Sequence, residues 1–126
     1  MYATTAELDA LALPPDVASK ADVAEKEAAL EAASALADSY LRQAGYVVPI
    51  TTPGDDLKNA VCEIAAYNLA VSKNLAPEGG EVSNLYLRKR EAIRWLERVA
   101  AGKAALEGQD ASGGEAYIVT DPKREW

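Results

Sequence analysis

Cys62 is the single thiol of the chain, and there is no histidine anywhere to take its proton. A nucleophilic cysteine needs such a base or another means of lowering its pKa, so Cys62 reads as a small packing residue. One Cys without His also leaves no zinc ligand set of the usual kind. Asp55 and Asp56 are adjacent, but carboxylates at the start of a helix satisfy its dipole and need no catalytic role. There is no glycine-rich phosphate loop and no nucleophile and base pair. The chain is therefore expected to be no enzyme, with no cofactor and no metal. Positive charge concentrates in Arg88, Lys89, Arg90, Arg94 and Arg98, where Glu91 and Glu97 dilute it. Arg88, Arg90, Arg94 and Arg98 fit a solvated helix face or an intersubunit charge surface better than a DNA-binding patch.

Composition supports a protein that binds other proteins. With 126 residues, 49% of them hydrophobic, there is enough for one modest core. Thirteen basic residues against 20 acidic ones give a net charge of -7, which opposes sequence-independent binding to nucleic acid. An acidic surface also suits a protein lining a path that DNA travels, because repulsion prevents sticking, but composition does not separate this from ordinary solubility, which is the favoured reading. No apolar run approaches the roughly 20 residues that span a bilayer, and the acidic MYATTAELD start lacks the basic character of a signal peptide. A soluble cytoplasmic protein with no membrane partner is expected.

The elements that must position these residues are helical. Phenylalanine is absent and no long alternation of β-branched residues occurs, so the fold class is all-α. Thr4 and Glu7 predict a capping box opening a short helix to about Ala12, which Pro14-Pro15 stop. Ser19, with Asp22 three residues on, predicts the cap of a long helix ending near Ala44, where Gly45 supplies a left-handed residue. Its inward stripe is Val23, Leu30, Ala33, Ala37, Tyr40, Leu41 and Ala44, with Glu25, Lys26, Glu31 and Arg42 toward solvent. The alanines allow a neighbouring helix, of this chain or another, to approach closely.

Residues 46–54 carry two prolines and cannot continue a helix. In this loop Val47, Val48, Ile50 and Thr52 are candidates to contact a partner, the alternative being that they tuck over the helix pair. A third helix is predicted from Asp55 or Asp56 to about Leu75, with Leu57, Val61, Ile64, Asn68, Val71 and Leu75 on its stripe. After the break at Ala76-Pro77-Glu78-Gly79-Gly80 a fourth runs from about Ser83 to Ala101, closed by Gly102. Val82, Leu85, Tyr86, Ile93, Leu96, Val99 and Ala100 are its apolar positions, with Trp95 as a bulky core anchor. The architecture expected is a small bundle of three main helices plus a short N-terminal one, with a long loop and an extended tail.

The helical domain is assigned to residues 1–106 and the tail to 107–126. GQDASGGEA is written like a flexible linker, whereas Tyr117, Ile118 and Val119 form a β-favouring run, followed at the end by Trp126. Linker, strand-like segment and aromatic anchor together suit a tail that pairs with a sheet edge of another chain and fills a pocket there, the alternative being a loosely packed C-terminus.

Taken in order, these residues resemble the small head-to-tail connector, adaptor or head-completion, proteins of tailed phages, most closely the Mu-like prophage group. The resemblance starts at MYATTAELDAL and passes through Tyr40-Leu41, Gly45-Tyr46, Val48-Pro49-Ile50, Pro53, Leu57, Ile64-Ala65, Tyr67 and Leu69. It is strongest over residues 91–103, where Ala92, Ile93, Trp95 and Leu96 precede Gly102-Lys103. The sequence departs from the group at Arg88-Lys89, where an Arg-aromatic pair is usual and Tyr86 stands nearby. The resemblance implies a structural protein of the virion, assembled in the host cytoplasm. It implies a ring, commonly of twelve copies, on the portal protein at the head vertex, continuing the DNA channel toward the tail. It implies that Tyr117, Ile118, Val119 and Trp126 reach the portal. It leaves the loop at Val47 to Thr52 for a neighbouring subunit, the tail or a stopper protein. A generic helical oligomerisation or regulatory module, and a tail-completion (stopper) protein of the same particle, are the alternatives.

Overall fold

The computed structural model describes residues 1–73 and 80–106, for 80–83 the helix backbone alone. Five helices make up the described chain: α1 (Thr5–Leu11), α2 (Pro15–Lys20), α3 (Val23–Ala44), α4 (Asp55–Ser72) and α5 (Gly80–Ala100). No strand occurs among the described residues, so the fold is all-α. Helices α3, α4 and α5 pack pairwise into a three-helix bundle, and α1 lies across α3 and α4. Leu75, residues 76–79, the side chain of Val82 and the tail at 107–126, with Tyr117, Ile118, Val119 and Trp126, fall outside the described residues.

Local chemistry sets the helix ends. Thr4 Oγ1 accepts from the Glu7 amide at 3.1 Å while Glu7 Oε1 accepts from the Thr4 amide at 2.9 Å, so the capping box forms. Pro14-Pro15 stops α1 but also starts a short extra helix, because a proline in the first turn gives up an N–H that would have had no helical partner. Ser19 consequently sits inside α2, its hydroxyl donating to the Asp16 carbonyl at 3.0 Å. The cap of α3 is Asp22, in a second capping box with Glu25 at 2.8 and 3.0 Å. Gly80 belongs to α5, which starts earlier than Ser83; glycine costs a helix only about 1 kcal/mol and does not stop one.

Helices α3 and α5 end alike. Gly45 and Gly102 adopt φ of 97° and 79°. Tyr46 N–H donates to the Leu41 carbonyl at 3.0 Å, and Lys103 N–H to that of Arg98 at 2.8 Å. These six-to-one bonds form Schellman closures, which require the left-handed residue glycine tolerates.

The core is built from Leu8, Val17, Leu30, Leu41, Leu57, Val61, Ile64, Leu85, Leu96 and Val99, all essentially inaccessible. Ala33, Ala37, Ala65, Ala66 and Ala70 fill the seams between them, so the helix backbones approach closely. Two positions of the α3 stripe depart from the periodicity. Val23, in the first turn, is 59% exposed, whereas Lys26 is buried because α1 covers it and Asp9 reaches its ammonium at 3.1 Å. In α4, Asn68 is exposed and Val71 is half exposed. Trp95 is only partly buried and packs at the core's margin, and Tyr86 is half exposed.

Candidate interaction surface

Two tyrosines tie the irregular segments to the bundle. Tyr2 is buried; its hydroxyl donates to the Asp38 carboxylate of α3 and accepts the Ile50 amide at 2.9 Å. Its amide donates to Ser34 Oγ at 3.0 Å. Burial, with the Asp38 contact, pushes the phenol up to about 12. Tyr46, at the base of the loop, accepts the Leu106 amide at 3.1 Å and so joins the loop to the segment after α5. Three ion pairs then clasp the helices: Lys26 with Asp9, Lys58 with Glu7 at 3.0 Å, and Lys73 with Glu25 at 2.6 Å. Glu7 and Glu25 are held below the usual carboxylate range. The Thr4 amide leads at Glu7, ahead of Lys58; Lys73 leads at Glu25, ahead of the Asp22 amide.

The loop residues separate. Ile50 is 8% exposed and belongs to the core, and Val48 is partly buried against it. Val47, 74% exposed, and Thr52 lie at the surface. Of the two readings of this loop, Ile50 and Val48 follow the one in which the residues tuck over the helices, the Ile50 amide being held by the Tyr2 hydroxyl, and Val47 and Thr52 keep side chains at the surface.

Arg88, Arg90, Arg94 and Arg98 are all exposed on α5. Arg94 approaches Glu91 at 3.4 Å, a contact worth little at an exposed site. Arg88 lies near enough to half-buried Glu63 to oppose the effect of burial, which still raises that carboxyl above its ordinary value. On the flank facing α4, Lys89 bonds Asn68 at 3.0 Å and stands 4.9 Å from the Tyr67 ring centre, and Tyr67 meets Tyr86 at 5.6 Å.

Two concavities lined by described residues are open to solvent. One, of about 380 Å³, is lined by Met1, Tyr2, Thr4, Glu7, Pro53 and Lys58 among others; its main charges, Glu7 and Lys58, neutralise each other. The second, of about 210 Å³, lies between the end of α1 and Asn84, Leu85 and Arg88 of α5. Cys62 is buried, and burial pushes its thiol up to about 11, which keeps it protonated and unreactive at neutral pH. No cluster of His, Cys, Asp and Glu able to hold a metal occurs among the described residues.

The family model described as Bacteriophage Mu, Gp36 matches residues 2–117. The chain belongs to that family. Gene product J of Escherichia phage Mu is 33% identical over 125 residues, an alignment covering 94% of this chain and 83% of the relative. The Gp36 match takes in all five helices and ends at Tyr117, so Ile118, Val119 and Trp126 lie beyond it. No helix of this phage protein, among its described residues, is long and apolar enough to cross a membrane.

Sequence reasoning missed the anchoring tyrosines and Lys26 of this Gp36-family chain. Tyr46 carried a usable signal, since the residue after a C-terminal glycine commonly packs back on its helix. Tyr2 carried none: its partners Asp38 and Ile50 are remote in sequence.

Proposed function

We propose that this Mu-family phage protein is a structural component of the virion, the adaptor ring that joins portal to tail and continues the DNA channel. The observation that carries the reading is a family match running through the whole helical body. That body is a three-helix scaffold in which Glu7 and Glu25 combine capping with ion pairs between segments. In this reading the chain performs no chemistry. Its partners are the portal protein, a tail or stopper protein, and further copies of itself. The segment Tyr117, Ile118 and Val119, anchored by Trp126, docks on the portal; Val47 and Thr52 remain the loop's contacts toward a neighbouring subunit or the next tail component. Ile50 and Val48 support that loop from beneath.

Light scattering of the purified chain, alone and mixed with the portal encoded in the same genome, tests the reading. A ring, or a monomer that joins the portal, is expected. Components of rings often associate weakly until a platform raises their local concentration. A stable dimer indifferent to the portal would replace the proposal with a helical regulatory module. Deleting residues 108–126 is expected to abolish portal binding while leaving the helical circular-dichroism signal; unchanged binding would remove the tail from the interface.

A further inference from the structure

Two exposed helix faces carry net charge of opposite sign. On α3, Glu27 and Glu31 stand one turn apart, and neither meets a cation among the described residues. Like charges at that spacing repel, so a cation brought between them is favourable. Beside them Ala24, Ala28, Ala32 and Ala35 are exposed, leaving a shallow strip along the outer side of the helix. On α5, Leu87 is 51% exposed, and Arg90 and Arg94 recur with it on one side of the helix at intervals of three, four and seven; Glu91 shares that side and approaches Arg94 at 3.4 Å, which leaves the face net positive.

The two faces cannot satisfy each other within one molecule. Each of α3, α4 and α5 turns its buried side to the other two, so the outer sides point away from the bundle axis in different directions. A two-fold dimer through either face would set like net charge against like. A heterologous contact instead sets unlike charges together, and each copy keeps one free face of each kind for the next. Such contacts close into a ring when the rotation per copy divides the circle.

We propose that successive copies meet head to tail, the outer α3 face at Glu27, Ala28 and Glu31 of one copy receiving the outer α5 face at Leu87, Arg90 and Arg94 of the next. Leu87 seats in the alanine strip, where the absence of large side chains lets the helices approach, and the arginines flank the glutamates. Charge supplies direction and register, and the apolar contact supplies most of the burial. The seam rests on the ring reading above and names its subunit contact.

Because Cys62 is buried, cysteines introduced at the surface can be cross-linked by a short bismaleimide against little background. The full chain carrying both Ala28→Cys and Leu87→Cys, mixed with the portal, is expected to give a ladder of covalent species beyond the dimer. Either single variant is expected to remain monomeric. Glu27→Arg with Glu31→Arg in the double-cysteine chain removes the ladder, and adding Arg90→Glu with Arg94→Glu restores it. Dimers from a single variant, or no ladder from the double-cysteine chain, would overturn the seam. Portal co-sedimentation of the same samples separates the two claims: binding without a ladder sinks the seam alone, and loss of both sinks the ring as well.

Discussion

Tyr2 shows how one hydroxyl can hold two remote segments. Its O–H serves Asp38 and Ile50 together, and Tyr2→Phe leaves the buried Ile50 amide with no acceptor there. Denaturation at neutral pH is expected to show a loss of about 1–3 kcal/mol, the usual cost of an unsatisfied buried group. The same phenol makes stability pH-dependent. Its folded pKa is raised from 10.0 to about 12, so the folded state binds the proton more tightly. The contribution is therefore complete below pH 10 and is lost as pH rises through about 12. Stability profiles over that alkaline window should fall less steeply for Tyr2→Phe than for the parent. Cys62 gives a second check at this scale. With its thiol buried and raised to about 11, alkylation at neutral pH should follow global unfolding in denaturant, and rapid labelling of the folded chain would contradict its burial.

Among the elements, α3 is where two competing cap residues misplaced a boundary. Ser19 and Asp22 are both good cap residues, and choosing between them requires knowing that Pro15 begins a helix of its own. Asp22→Ala is expected to cost about 1 kcal/mol in thermal or chemical unfolding, since it removes the acceptor for the Glu25 amide. Ser19→Ala should stay within about 0.5 kcal/mol, as for surface positions without a capping role. Equal effects from the two would refute the assignment. At the other end of the bundle, Gly102 has φ of +79°, and a Cβ placed on it would meet nothing within 4 Å, so space is no obstacle there. Gly102→Ala should still destabilise by about 1 kcal/mol, because a side chain is strained in the left-handed region whatever room surrounds it.

For the molecule as a whole, acid is the informative perturbation. Glu7 and Glu25 each combine a capping role with an ion pair to another helix, so their lowered pKa values couple local helix starts to bundle assembly. A depressed carboxylate stabilises the fold above its unfolded value of 4.5, and that contribution disappears as pH falls through the folded value. Melting temperature should drop on acidification through this range. A Glu7→Gln, Glu25→Gln double variant should start lower at neutral pH and show a shallower drop; an unaltered profile would mean that these carboxylates do not link folding to pH. The proposed ring and its proposed seam belong to this scale too, since the α3 and α5 surfaces could meet only between copies.

The all-α class, the long helices of the bundle and most core positions follow from the sequence, because 3.6-residue periodicity, capping residues and terminal glycines are local signals. Leu30, Leu41, Leu57, Ile64, Leu96 and Val99 needed no tertiary information, and the ordered motifs were enough to suggest a Mu-like phage family. Other features depend on contacts between residues far apart in the chain. Ile50 looked available to a partner until the fold turned it inward beneath Tyr2, and Lys26 looked solvated until α1 crossed over it. The exposed faces of α3 and α5 carry charges visible in the sequence, but only the bundle sets their directions. Periodicity says which residues share a side of a helix; the packing of the other helices decides whether that side meets a core, a neighbouring segment or solvent.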